Sequence, residues 1–475
     1  MKPTTETFKQ NARVALHDAQ LQRALAGLPT GLVANRAAAR ARLPEFEDLR
    51  EVARDIKDHT LAHLDVYLEE YERKATAAGA KVHWAATAAE ARHIILSICR
   101  DADAKLVTKG KSMISEEIGL NAELEAAGLE VAETDLGEYL VQIRGETPSH
   151  IIAPAIHLTQ DQVEADFRRL HTSLPQDRVL IDPSQLVGEA RQILREKFLA
   201  ADVGITGANF LVAETGSSVI VTNEGNGDLT QSLARVHIVV ASIEKVVPTR
   251  EDVSSILRLL ARSATGQEFS TYTTFSTGPR RPEDPDGPAA YHVVLLDNGR
   301  SELMGTAFRE VLRCIRCGAC MNHCPVYGAI GGHAYGWVYP GPIGSVLTPS
   351  LIGVRGTADL PNASTFCGRC EQVCPMKIPL PKLMRHHREA EFDLGGPSHR
   401  YRWGLKTWAW FARRPRVYHL ATRLAAALLG ALGRRRGAFR SLPLAGGWTK
   451  HRDFPVPQGR TFQQLWAEHK AGAPR

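Results

Sequence analysis

Long apolar stretches are scarce in this 475-residue chain. The longest, Leu424 to Leu432, falls well short of the ~20 residues that a helix needs to cross a bilayer. The opening Met-Lys-Pro-Thr-Thr-Glu-Thr-Phe-Lys-Gln is polar, and no secretory hydrophobic region is expected there. No G-x-G-x-x-G follows a strand-like segment, and zinc-protease and serine-nucleophile motifs are also missing. Lys109-Gly110-Lys111-Ser112 has the end of a phosphate-binding loop, but Lys105 stands where its first glycine belongs, which rejects that reading. No nucleic-acid-binding motif accompanies the net charge of +6, and no nucleic-acid partner is expected.

Cysteine is just as sparse away from two places. Seven of the eight cysteines lie in Cys314-x-x-Cys317-x-x-Cys320-x-x-x-Cys324-Pro325 and Cys367-x-x-Cys370-x-x-x-Cys374-Pro375. This is the spacing of paired iron-sulfur clusters, in which the fourth cysteine of each run crosses to the other cluster. On that rule cluster one takes Cys314, Cys317, Cys320 and Cys374, and cluster two takes Cys324, Cys367 and Cys370. Ser364 occupies the position where a complete second run would begin. Cluster one is therefore expected as [4Fe-4S], and cluster two as either [4Fe-4S] with an incomplete cysteine set or [3Fe-4S]. Structural zinc also uses C-x-x-C pairs, but four thiolates in one run ending in Cys-Pro suit a cluster better than a closed zinc site. Reduced thiolates of this kind point to a cytoplasmic setting. Cys99, in an apolar helical stretch, is expected to be a small buried hydrophobe.

Charge divides the chain. Residues 401–475 hold fifteen Lys or Arg against Asp453 and Glu468, together with five of the seven tryptophans: Trp403, Trp408, Trp410, Trp448 and Trp466. Such a tail suits an anionic membrane surface or an acidic partner, or is a solvated basic face. Val417, Leu420, Leu424, Leu428 and Leu432 share one helical face there, followed by Arg434-Arg-Arg436.

Periodicity divides it again. Phe46 to Lys57 and Leu61 to Leu68 have helical spacing, so residues 1–75 read as a helical N-terminal segment. From residue 76 to 299, short apolar strands alternate with helices: strands 81–84, 104–108, 129–132 and 149–154, helices 88–103, 115–128 and 183–199. Strands at 210–213, 218–222, 236–241 and 291–297 follow. The alternation predicts an α/β domain with a largely parallel sheet. A helix over 301–313 leads into the first cysteine run. Residues 300–394 form the expected dicluster domain, closed by a helix over 379–392, and 395–475 the basic extension. The long insert between Cys324 and Cys367 resembles the helical ferredoxin domain of succinate dehydrogenase iron-sulfur subunits.

Several residues are weaker candidates. Lys109 and Lys111, at a strand end beside a helix N-terminus, could hold an anion or simply supply capping and surface charge. Glu214 and Glu224 adjoin turn glycines and could serve as base or nucleophile, although no histidine is paired with either. His386-His387 is expected to be solvated on a charged helix.

Lys109-Gly-Lys-Ser-Met-Ile-Ser-Glu-Glu-Ile-Gly-Leu-Asn121, Gly204-Ile-Thr-Gly-Ala-Asn-Phe-Leu-Val-Ala-Glu-Thr-Gly216, Val221-Thr-Asn-Glu-Gly-Asn226 and the two cysteine runs resemble the lactate-utilisation protein B family over nearly the whole chain. The resemblance implies a LUD domain, related in fold to sugar-phosphate isomerases and CoA transferases. It also implies two companion subunits, one rich in paired-cysteine motifs and one a lone LUD domain, that together oxidise L-lactate to pyruvate. This chain's implied role is electron relay, because clusters alone carry single electrons and take no hydride. The alternative is a catalytic subunit whose crevice itself binds a 2-hydroxy or 2-oxo acid anion through Lys109 or Lys111. Fold kinship makes Glu214 and Glu224 candidates for catalysis, but fold does not determine function.

Overall fold

The computed structural model describes every residue except 1, 397, 436, 443–445, 450–451 and 473–475. The chain divides into two compact units, residues 1–391 and 392–475.

In the first unit the strands are β1 (Lys81–Ala85), β2 (Leu106–Lys109), β3 (Glu130–Glu133), β4 (Val203–Gly207), β5 (Phe210–Val212), β6 (Ser217–Thr222), β7 (Val236–Ser242), β8 (Val246–Val247), β9 (Tyr272–Ser276) and β10 (Ala290–Leu296). Six of them form a sheet in the order β1-β10-β7-β4-β2-β3, and every pairing is parallel. Its central strands are near-continuous apolar runs such as Ile238-Val-Val-Ala241, buried throughout, as expected where helices cover both faces. On one face pack helices Ala88–Asp101, Met113–Ile118 and Leu120–Ala126. On the other packs Leu64–Ala77. Cys99 is wholly buried in the first of these layers. A second sheet, β8-β5-β6-β9, mixes parallel and antiparallel pairs.

Three expected elements come out differently. Residues 149–154 form no strand: the Ser149 N–H donates to Pro154 O at 2.9 Å, closing a turn. The helix expected over 115–128 breaks at Gly119, whose φ of 67° caps Met113–Ile118 and starts Leu120–Ala126. The helix expected over 301–313 is a single turn, Arg300–Leu303, and a separate 3₁₀ turn, Arg309–Arg313. Thr306 interrupts it, since its hydroxyl donates to Leu303 O and accepts from Phe308 N–H.

The N-terminal helices do not stand apart. Phe8, Leu25, Leu43, Phe46 and Ala53 share one core with Val311, Tyr327, Tyr335, Trp337, Cys317, Cys370 and Cys374. Phe8 meets the ring of Tyr335 edge-on at 5.5 Å. Gly332 lets the insert after the first cysteine run lie against the 149 turn, for a Cβ there would stand 1.7 Å from Ser149 O.

In the second unit, helices His399–Ala412, Pro415–Gly433 and Phe462–Gly472 accompany a two-residue antiparallel pairing of Ala438–Phe439 with Phe454–Pro455. Leu420, Leu424, Leu428 and Leu432 are each at least 60% exposed, as are Trp403 and Trp408, while Val417 is half-buried. Arg436, part of the basic run expected after this stripe, lies outside the described residues. Among the described residues no helix is long and apolar enough to cross a membrane.

Candidate iron-sulfur centres and the adjoining crevice

None of the eight cysteines forms a disulfide, and seven of them gather into two groups. Cys317 has Cys374 and Cys314 as its electrostatic neighbours, and Cys320 has Cys314, Cys317 and Cys374 first, with Cys370 of the second group after them. Cys324 and Cys370 neighbour one another and Cys367. The short helical turns Ala319–Asn322 and Arg369–Val373, each entered through a left-handed glycine, Gly318 or Gly368, carry the thiols inward.

Backbone amides point at the sulfurs. Arg316 N–H donates to Cys314 Sγ at 3.4 Å, and Ile378 N–H to Cys374 Sγ at 3.5 Å. Further amides, of Ala319, Tyr327 and Glu371, face Cys317, Cys324 and Cys370. Arg316, Phe366 and Lys377, three of the five non-glycine residues with positive φ among the described residues, stand in or beside these loops. Left-handed backbone costs energy for such residues and is found where a site is tightly shaped.

This donor set fits thiolate-bound iron. Burial first, then Cys374 and Cys314, push the Cys317 thiol up to about 12. Burial and Cys324 push Cys370 to about 12, and burial brings Cys374 to about 11. Converging buried thiols that resist ionising together are relieved by a cationic core bound between them. The first group also has basic side chains about it. Arg50 donates to Cys374 O at 2.7 Å and Gln372 O at 3.0 Å, and Arg36 to Val373 O at 2.9 Å. Lys57, which donates to Val246 O at 3.3 Å, and Lys245 both feel Cys314, while burial lowers their pKa values to about 7 and about 8.

The second group lies in a cleft lined by Cys324, Ser364, Cys367 and Cys370. Ser364 Oγ accepts from Phe366 N–H at 3.2 Å. Cys367 is exposed, whereas Cys370 is buried.

A crevice of about 560 Å³ opens between the sheets and the cysteine segment. The carboxyl ends of β2 and β4 reach it through Gly110, Lys111, Thr206 and Gly207, the usual ligand position on a parallel sheet. Gly204 permits its shape: a Cβ there would stand 1.9 Å from Thr230 O in the helix Asn226–Leu233.

Of the candidate anion holders, Lys111 lines this crevice, with Nζ 3.1 Å from Ile152 O and 3.5 Å from Asp135. Lys109 is neither a surface charge nor available to a ligand. It is wholly buried between Glu133 at 2.7 Å and Glu116 at 3.0 Å, because the last residue of β2 points under the sheet end. Glu224 lines the crevice; Glu214 is outside its lining, partly exposed, with its carboxylate 3.5 Å from Arg250 Nε. His387 corrects a second expectation. It is buried, not solvated, its ring stacked on Phe308 at 4.1 Å and its Nε2 2.9 Å from Val346 O. Burial lowers its pKa to about 4.

Sequence reading missed a buried charge network beside the first group. Arg300 lies between Glu117 at 2.7 Å and Glu244 at 3.0 Å, and Arg316 reaches Glu244 at 3.3 Å. Tyr339 donates to Glu117 at 2.6 Å and lies under the Arg316 guanidinium. Despite burial, these arginines and Lys245 hold Glu244 at about 2. Lys245 and Arg316 also line the crevice. The signal available was an arginine inside the first C-x-x-C and a lysine just past β7.

Family models match three parts of the chain: a LUD domain over residues 68–296, a 4Fe-4S dicluster domain over 310–378, and the C-terminal region of lactate utilisation protein B over 398–471. Lactate utilization protein B of Macrococcus caseolyticus is 42% identical, covering 99% of this chain and 98% of the relative. Proteins of the same name from Bacillus pumilus and Bacillus cytotoxicus are 41% and 39% identical, each covering 99% of both chains.

Proposed function

Because the chain belongs to the lactate utilisation protein B family, we propose that it is the iron-sulfur electron-transfer subunit in the oxidation of L-lactate to pyruvate. The supporting observation is the convergence of seven thiols, four about Cys317 and three about Cys370, with Cys320 next to both sets. Cys314, Cys317, Cys320 and Cys374 hold a [4Fe-4S] cluster. Cys324, Cys367 and Cys370 hold a second, either [4Fe-4S] with a non-cysteine fourth ligand or [3Fe-4S]. Two such centres supply single-electron steps. The chain's own residues shape the loops, direct amides at sulfur and keep water from the inner group. Two companions complete the reaction, a paired-cysteine-motif protein and a lone LUD-domain protein.

Protein purified without oxygen is expected to contain iron and acid-labile sulfide, with two distinct paramagnetic centres on reduction. Stoichiometric zinc in their place would end the relay reading. The basic extension, with exposed tryptophans and leucines beside arginines, is proposed as a peripheral contact for an anionic membrane. Full-length protein is expected to sediment with anionic vesicles and Leu424→Glu to do so less; equal sedimentation would instead favour an acidic protein partner or a solvated face.

A further inference from the structure

The crevice is unevenly charged. At one end Lys111 is answered by Asp135 at 3.5 Å, with Glu224 on the same wall. At the other, Lys245 is only 7% exposed and, among the described residues, makes no side-chain hydrogen bond or close ion pair; Arg316, Glu244 and Cys314 are its electrostatic neighbours. Beside it Arg316 gives Nη2 to Glu244 at 3.3 Å, while its Nε has no partner. Glu244 is already engaged by Arg300, so Glu117 and Glu244, with the Cys314 sulfur beyond them, are shared among Lys245, Arg300 and Arg316, and Lys57 lies alongside. Asn226, on the crevice wall, also keeps a buried Oδ1 without a partner. Unpaired buried charge is costly unless a counter-charge arrives. Arg316 has a second contact, for its backbone N–H donates to Cys314 Sγ at 3.4 Å.

We propose that this end of the crevice binds a small organic carboxylate of the 2-hydroxy or 2-oxo acid class, held by Lys245 and Arg316, and that its occupancy is felt at the first cysteine group. The inference deepens the relay reading and rests on it. A guanidinium edge beside an ammonium suits a planar carboxylate. The crevice volume accommodates such an acid together with water. Binding makes and breaks no bond. It brings negative charge next to thiolate-bound iron in a poorly screened setting, which disfavours the reduced state.

The test uses full-length protein loaded with iron without oxygen, titrated separately with pyruvate, L-lactate, inorganic phosphate and chloride. Calorimetry reads binding, and a redox titration followed by paramagnetic resonance reads each centre. Pyruvate or L-lactate is expected to bind and to lower the potential of the first centre while leaving the second unmoved. Lys245→Gln is expected to keep its iron, weaken binding by about tenfold or more and lose the shift. Arg250→Gln, at the surface, should change neither. Carboxylate binding that is absent, or that survives Lys245→Gln unchanged, overturns the inference; equal binding of phosphate and chloride overturns its carboxylate assignment. Intact centres with no carboxylate response remove this inference alone, whereas absent centres remove the relay reading with it.

Discussion

Around Cys317 the protein places cations and a shared core; around Cys367 it places an opening. The inner group has four thiols, with Arg36, Arg50, Lys57 and Lys245 about it. Its members Cys317 and Cys374 pack among residues from the N-terminal helices, in a core that also takes Cys370 of the outer group. The outer group has three thiols, one of them exposed, in a cleft with Ser364. Fixed positive charge stabilises an added electron nearby, and solvent exposure suits exchange with a partner. In the relay proposed above, the two groups serve different ends of one path: the inner beside the crevice, the outer at the surface.

The largest expected effect separates them directly. Cys317→Ser should lose the inner centre and lower the thermal midpoint markedly, because buried thiols and the helical core depend on it, whereas Cys367→Ser should lose only the outer signal. Equal losses in iron content and melting would erase the distinction. Next comes Arg300→Met, which leaves Glu117 and Glu244 buried with their shared cation gone. Denaturant unfolding of the iron-loaded protein should show a loss of about 3–5 kcal/mol, and a change below 1 kcal/mol would mean that Arg316 and Lys245 suffice. The smallest effect sharpens the outer group. Ser364→Cys should alter the spectroscopic type of the second centre with a stability change within about 1 kcal/mol, and an unaltered spectrum would place the fourth ligand elsewhere.

Local patterns made much of this visible from residues alone. Alternating apolar runs such as Val236 to Ala241 announce parallel strands, and the cysteine spacing announces clusters. What escaped depends on distant packing. Lys109 looks like an exposed strand end until Glu133, from the neighbouring strand, and Glu116 close over it. His387 looks solvated until Phe308, nearly eighty residues earlier, stacks on its ring. Arg316 and Lys245 reach the crevice only once β7 and the first cysteine loop have met, and no periodicity encodes that meeting. The second sheet shows the same limit, since β9 pairs with β6 across some fifty residues of intervening chain.

The lacing of the N-terminal helices to the far segment has a consequence for how the chain is made. Thr4 N–H donates to Gly336 O at 2.7 Å, and Phe8 waits for Tyr335. At about 5–20 residues per second, the opening helices leave the ribosome tens of seconds before their packing partners exist. Their apolar faces must be shielded in that interval, and the full set of inner thiols is together only after Cys374 has emerged.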